Sequence, residues 1–316
     1  MDKPCLIAVA GATASGKTAA AVRLCQRIGG EVVSCDSMQI YRGMDIGTAK
    51  PTPEERGGVA HHMLDIVSPK EWFSVSAFRA QAGQAVEDIL SRGRQPVLCG
   101  GTGLYIDALT RPMAFSEESS GALRDELKEI AARPDGRARL HAMLAAVDPE
   151  SAGRLHENDV RRVIRAIEVF RLTGRTMTEQ LALDRTREGD YRAVLFALEW
   201  PREALYERIN RRVDQMMTSG LADEVRRLLA QGVPPESTAM QALGYKEIAA
   251  ALQNRCTMEE AVEAVKQGTR RYAKRQLTWL RRDGRVRWIR AEGKSTDDIV
   301  DEMMKEIDYD ADSPGH

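Results

Sequence analysis

The stretch Gly11-Ala12-Thr13-Ala14-Ser15-Gly16-Lys17-Thr18 constrains this chain more than any other. It follows an apolar run, Leu6 to Ala10, and precedes a helical pattern from Ala19 to Ile28. Strand, glycine-rich loop and helix in that order form the setting in which a P-loop works. The glycines let the backbone curl so that successive N–H groups face one anion. The helix N-terminus adds partial positive charge. Lys17 adds a full charge, and the Thr18 hydroxyl is the expected ligand for a magnesium ion. Gly11–Thr18 is therefore the candidate site for a diphosphate or nucleotide. A glycine-rich turn with a chance Gly-Lys-Thr would explain the loop but not its flanks. The loop alone does not say which phosphate compound is held, or what becomes of it.

Short apolar runs alternate with helical patterns downstream. Expected strands are Leu6–Ala10, Glu31–Ser34, Met63–Val67, Pro96–Cys99, Ala193–Leu198 and Val286–Ile289. Expected helices are Thr18–Ile28, Val75–Arg92, Pro201–Ser219, Leu221–Leu229, Tyr245–Leu252 and Met258–Arg282. This alternation predicts an α/β fold, a parallel sheet core flanked by helices. Between 113 and 190 the character changes. Leu123, Leu127 and Ile130, then Leu140, Met143 and Leu144, then Val163, Ile167 and Phe170 recur at helical spacing, with no convincing strand. The chain thus reads as a core in two parts, 1–112 and 191–316, around an all-helical insertion domain at 113–190. The acidic tail, Asp308 to His316, is expected to fray.

At 316 residues the chain can bury a large core and form two domains. Its five cysteines are scattered without a Cys-x-x-Cys pair, which favours buried thiols in a reducing compartment over disulfides or zinc. No apolar run reaches the length of a membrane span, and no signal peptide is seen. The expectation is a cytoplasmic monomer.

The net charge of −1 conceals segregation. From Lys266 to Arg290 ten basic residues meet one acid, Asp283. Lys266, Arg270 and Lys274 fall on one helical face, with Arg271, Arg275 and Arg282 beside it. A second group, Arg154, Arg161, Arg162, Arg165, Arg171 and Arg175, lies in the insertion. Solvated basic faces are one reading. A nucleic acid held between two basic surfaces is the other.

Two further stretches carry chemistry. Asp36 lies just after the second expected strand, so it belongs on the rim that carries Lys17. A carboxylate there can hold magnesium or accept a proton, and a turn-capping aspartate is the bland alternative. Gly100-Gly101-Thr102-Gly103-Leu104-Tyr105 follows another strand on that rim, either a site for close backbone approach or a tight turn. No run ends in a convincing Walker-B acid; Asp65 is the nearest. This favours a small kinase-like transferase over a motor ATPase.

The segment from Asp36-Ser37-Met38-Gln39-Ile40-Tyr41-Arg42 to Gly47-Thr48-Ala49-Lys50-Pro51 closely resembles the signature of tRNA dimethylallyltransferases, the tRNA isopentenyltransferase family, bacterial type. Four more stretches resemble that family in its order: His61–Asp65, Gly100–Tyr105, Gln241–Lys246 and Lys274–Arg281. His156-Glu157-Asn158-Asp159, followed by Arg162 and Arg165, also fits. The C-terminal Cys2His2 zinc finger that eukaryotic relatives often carry is not seen.

The resemblance implies transfer of a dimethylallyl group from dimethylallyl diphosphate to N6 of adenosine at tRNA position 37, beside the anticodon, with diphosphate leaving. It makes the P-loop a diphosphate cradle assisted by Mg2+, and Asp36 the general base. It puts Thr102, Arg124 and Lys17 at the reacting centre, with Arg124 on the diphosphate. From the sequence pattern alone Arg124 would be a surface residue. It assigns tRNA contacts to Asp36, Ser37, Met38, Gln39, Arg161, Arg162, Arg165, Gln241, Gly244, Tyr245, Lys246, Lys274, Arg275, Gln276 and Arg281. Three alternatives stay open: an adenylate isopentenyltransferase acting on a free nucleotide, a P-loop small-molecule kinase, and a non-catalytic RNA-binding NTPase.

Overall fold

The structure, a computed structural model, describes residues 3–113, 121–186 and 189–312. The chain divides into two compact units, Met1–Thr110 with Tyr191–His316, and Arg111–Asp190.

The first unit is built on strands β1 (Cys5–Gly11), β2 (Gly30–Ser34), β3 (His61–His62), β4 (Gln95–Gly100), β5 (Arg192–Glu199) and β6 (Val286–Arg290). They form one sheet in the order β3-β2-β4-β1-β5-β6, every pair parallel. Parallel strands need crossovers, and the helices supply them: α1 (Lys17–Ile28), α2 (Val75–Ser91) and α3 (Gly103–Thr110) in the first part. Because helices cover such a sheet, its central strands are apolar throughout rather than alternating. Leu6, Ile7, Ala8, Val9 and Ala10 are at most 2% exposed. On one face Ile7, Val9, Val32, Val97 and Phe196 pack with Ala20, Ala21 and Leu24 of α1. Each large apolar side chain buried this way contributes about 1.5–3 kcal/mol.

The helices that follow β5 are α9 (Arg202–Thr218), α10 (Leu221–Ala230), α11 (Tyr245–Leu252), α12 (Met258–Arg282) and α13 (Thr296–Asp312); the second unit supplies α4–α8, given below. The start of α12 is set by a capping box. Thr257 Oγ accepts from the Glu260 N–H at 3.1 Å, and Glu260 Oε2 accepts from the Thr257 N–H at 2.9 Å. Two expectations fail here. The apolar run Met63–Val67 is not a strand: Met63 and Asp65 are left-handed (φ 65° and 56°), and Val67 makes only an isolated bridge to Tyr41. Asp65 is drawn instead to Lys50, at 2.5 Å, so it is a clamp on the preceding loop and not a Walker-B acid. The acidic tail does not fray from Asp308. Helix α13 continues to Asp312, anchored by Ile299, Val300 and Met303 against the sheet and by Asp297 and Asp301 on Arg23 and Arg27 of α1. Residues 313–316 lie outside the described residues.

The second unit is all-helical among the described residues: α4 (Gly121–Ala132), α5 (Gly136–Val147), α6 (Pro149–Arg154), α7 (Val160–Thr173) and α8 (Met177–Thr186). Its core joins Leu127, Leu140, Leu144, Val163, Ile164 and Ile167, with Leu123, Ile130 and Met143 packed around it.

Candidate active site

In a parallel sheet a ligand sits beyond the carboxyl ends of the strands. Here those ends deliver the P-loop from β1, Asp36 from β2, Thr102 from β4 and Trp200 from β5. In the P-loop, Ala14 and Gly16 are left-handed, at φ 62° and 93°. That double reversal turns carbonyls outward, where other groups hold them. Trp200 Nε1 donates to Ser15 O at 2.9 Å, and Arg208 Nε donates to Ala14 O at 2.8 Å. The Arg208 guanidinium lies 4.1 Å from the Trp200 ring centroid. The first-turn N–H groups of α1 have no intrahelical acceptor and remain for an anion.

Two side chains in the loop lack ordinary satisfaction. Ser15 Oγ is buried with no hydrogen-bond partner among the described residues. Lys17 Nζ reaches only Ala12 O, at 3.2 Å. Burial pushes the Lys17 pKa down, Cys99 and Asp36 oppose that, and Arg212 adds to it. Of the two, Lys17 lines the cavity and Ser15 does not, so it is the ammonium beside the curled backbone that suits an anion. Thr13 is different. Its N–H already donates to Gln276 Oε1 at 2.9 Å.

Asp36 is fixed on one side only. Its Oδ1 accepts from the Met38 N–H at 2.9 Å, and no partner engages Oδ2 among the described residues. Thr102 supports the same turn, its Oγ accepting from the Ser37 N–H at 3.2 Å. A cavity of about 370 Å³ opens between these elements. Thr13, Ala14, Lys17, Thr18, Asp36, Ser37, Met38, Gln39, Gln241, Gly244, Lys246, Arg275 and Gln276 all line it. Thr102 acts from behind this wall through Ser37.

The cavity also contains a residue that the sequence reading missed. Arg212 lines it from α9. Burial lowers its pKa, Glu55 and Asp36 raise it, and Arg208 lowers it. Arg208 and Arg212 stand one helical turn apart on the helix that opens after β5, and that placement was the available signal.

Two residues expected to touch RNA turn inward instead. Tyr245 is fully buried, and its hydroxyl donates to Glu224 Oε1 at 2.6 Å. Gln276 is 6% exposed, with Nε2 on Gly101 O and Oε1 on the Thr13 N–H, both at 2.9 Å. A Cβ on Gly101 would lie 2.0 Å from that amide, so glycine is needed there. The Tyr245 side chain is therefore an internal brace, and Gln276 braces the P-loop from a place on the cavity wall. Gly244 is buried as well, although it lines the cavity.

The basic helix α12 divides into two faces. Lys266 pairs with Asp214 at 2.6 Å, and Arg270 with Asn210 at 2.7 Å and Glu263 at 3.0 Å. Partners absent at i,i+4 come from Asp214 and Asn210 of α9 and from Glu263, two turns earlier on α12 itself. Arg271, Lys274, Arg275, Arg281 and Arg282 are exposed. Of these, Arg281 approaches Glu199 at 3.5 Å.

In the helical unit, Glu168 is completely buried and organises the arginines. Arg124 Nη2 donates to both of its oxygens at 2.9 Å, and Arg165 Nη1 to one at 2.9 Å. Burial alone would raise the Glu168 pKa, but those hydrogen bonds outweigh it and hold the value down. Arg162 pairs with Asp159 and Arg171 with Glu126, both at 3.1 Å, while Arg161 is exposed. Much of this second arginine cluster is thus engaged inside its own unit.

Fold and loop together define an α/β protein of the P-loop class, with a carboxylate on the rim of its anion cradle. The family described as IPP transferase matches residues 39–283, and a second, described as isopentenyl transferase, matches residues 4–69. The chain belongs to the IPP transferase family. It is 48% identical to the tRNA dimethylallyltransferase of Geobacter metallireducens, over 96% of this chain and 97% of that one. It is 49% identical to that of Desulforudis audaxviator, over 92% and 93%. Among solved structures, the full-length tRNA isopentenylpyrophosphate transferase of Bacillus halodurans aligns with a TM-score of 0.73 at 42% identity, covering 97% of this chain and 96% of that one. A eukaryotic dimethylallyltransferase acting on tRNA aligns with a TM-score of 0.84 at 28% identity, covering 97% and 79%. Among the described residues no helix is long and apolar enough to cross a membrane.

Proposed function

We propose that this chain transfers a dimethylallyl group from dimethylallyl diphosphate to N6 of adenosine 37 in tRNA, releasing diphosphate. The observation that carries the reading is one cavity lined both by the P-loop, with the half-buried Lys17 ammonium, and by the half-held Asp36 carboxylate.

Cleaving the allylic C–O bond builds negative charge on the departing diphosphate. Lys17, Arg212 and the α1 N–H groups stabilise that charge in a desolvated setting, where such contacts are strongest. The N6 amine is a weak base and must lose a proton as it attacks. Asp36 Oδ2 takes that proton, while Met38 and the Thr102–Ser37 contact hold the carboxylate in place. Adenosine 37 must leave its stack to enter, at about a few kcal/mol. The exposed cations of α12 and Arg161 contribute phosphate contacts.

The donor set suits magnesium. Among the described residues there is no cluster of three or more His, Cys, Asp or Glu side chains that could cage a metal. Mg2+ needs no such cage, because it keeps waters and binds through one or two protein oxygens plus substrate phosphates. The Thr18 hydroxyl would hold it, and when bound it would neutralise charge on the leaving group. Arg124 belongs to the proposal through the family resemblance, since the structure engages its guanidinium with Glu168.

The test is direct. Purified protein with Mg2+ and labelled dimethylallyl diphosphate is offered unmodified tRNA or AMP. Label in tRNA alone is expected. Label in AMP alone would establish an adenylate isopentenyltransferase, and transfer to neither would leave a kinase or a binding protein.

A further inference from the structure

Glu224 of α10 is 1% exposed, yet among the described residues no cation pairs with it. It is held by four donors. Oε2 accepts from the N–H groups of Asp45 and Ile46, both at 2.9 Å. Oε1 accepts from the Gly47 N–H at 3.1 Å and from the Tyr245 hydroxyl at 2.6 Å. A buried carboxylate is tolerated only when its hydrogen bonds are complete. An apolar residue would fill the space between α10 and α11 at less cost. What the carboxylate adds is a single allowed conformation for the segment 45–47.

That conformation reaches the cavity. Gly47, Thr48 and Ala49 line it. The Thr48 and Ala49 carbonyls accept from Gln39 Nε2 at 3.3 and 3.1 Å, and Gln39 Oε1 accepts from Ser34 Oγ at 3.1 Å. Carbonyls can only accept, so the Gln39 amide has one orientation. Both protons of its nitrogen are engaged, and its oxygen, which accepts from Ser34, has one acceptor site left for a ligand. Gly47 also fits flat against Tyr245, where a Cβ would lie 2.5 Å from the ring.

We propose that Glu224 is a positioning residue for the acceptor end of the cavity. It fixes residues 45–49, and through them the Gln39 amide, while the P-loop grip on diphosphate does not depend on it. This rests on the proposed transfer to tRNA. Glu224→Gln replaces two acceptor sites with a donor facing backbone donors. Its kcat/KM for tRNA is expected to fall about tenfold or more. The affinity for inorganic diphosphate, measured by calorimetry, is expected to stay at the wild-type value. Glu224→Asp keeps charge and acceptors and is expected to recover part of the loss. Should Glu224→Gln fail to fold, Gly47→Ala perturbs the same contact from the loop side and is expected to show the same split. Unchanged tRNA kinetics in the folded variants would overturn the proposal. So would an equal loss of diphosphate affinity, the mark of a merely structural role. Wild-type protein that transfers nothing to tRNA overturns the functional reading itself, whatever the variants do.

Discussion

Two turns on the cavity wall gather backbone N–H groups, the segment 45–47 and the P-loop, and they differ in what those groups meet. In the segment 45–47 three N–H groups meet Glu224, an anion from the same chain, and Tyr245 completes its shell. In the P-loop the curled backbone meets no internal anion, and it carries a buried serine hydroxyl without a partner. The same backbone device thus serves structure in one place and, in the proposed function, diphosphate binding in the other. A glycine-containing turn does not reveal which role it has. What separates them is whether the chain supplies the missing charge. The P-loop is also braced from outside, by Trp200 and Arg208, so that it stays open without its anion.

Between the two sites stands Asp36, and its removal has the largest expected effect. Asp36→Ala should lower single-turnover transfer by roughly 10²–10⁴-fold while tRNA binding stays nearly unchanged. A near-normal rate would end its role as base. Next comes the open site. Lys17→Ala should reduce transfer on the order of 10²–10³-fold. Inorganic diphosphate should raise the wild-type melting temperature and leave that of Lys17→Ala unmoved. If both proteins respond alike, the P-loop is not where diphosphate binds. The exposed face of α12 gives a smaller effect. Replacing Arg271, Lys274 and Arg275 with alanine should flatten the salt dependence of tRNA affinity by about 2–3 in log–log slope. Replacing Lys266 and Arg270, which α9 already engages, should leave the slope as it was. A change in the second pair and none in the first would reverse the assignment of the two faces.

The smallest effect concerns a third anion, filled by guanidinium rather than by N–H groups. Hydrogen bonds from Arg92 chiefly, opposed by burial and helped by His62, hold Glu31 at a pKa of about 2. Its folded value lies below the ordinary 4.5, so its stabilisation is present above that value and is lost as pH falls through about 2. Melting temperature should therefore decline between pH 4.5 and 2, and Glu31→Gln should make that decline shallower. An unaltered decline would assign the acid sensitivity to other groups.

The sequence disclosed what is local. β1, the P-loop and α1 are contiguous, so their pattern could be read directly, and α12 runs from its capping box as its apolar spacing predicts. What it concealed depends on distant partners. Met63–Val67 has the composition of a strand, but Lys50 draws Asp65 into a turn. The acids of α13 obscured a helix whose apolar side, Ile299, Val300 and Met303, meets the sheet. Arg212 lies in a helix that the sequence predicts, but nothing local to that helix tells that it packs beside the P-loop. Tyr245 and Gln276 lie in stretches that resemble the family, and that nearness to the site made them look like RNA contacts. Tyr245 is buried against Glu224, and Gln276 holds the Thr13 N–H and the Gly101 carbonyl while it lines the cavity.

The Trp200 brace also sets a clock on synthesis. Trp200 follows Ser15, whose carbonyl it holds, by 185 residues, and β1 lies between β4 and β5 in the sheet. At about 5–20 residues per second, the nascent P-loop waits roughly 10–40 s before its outer support exists. For that interval β1 has one edge unpaired, an apolar strand with exposed backbone groups. The helical unit, built from one contiguous stretch, has no such wait. During translation the vulnerable part of this protein is therefore its first strand, the one that carries the P-loop.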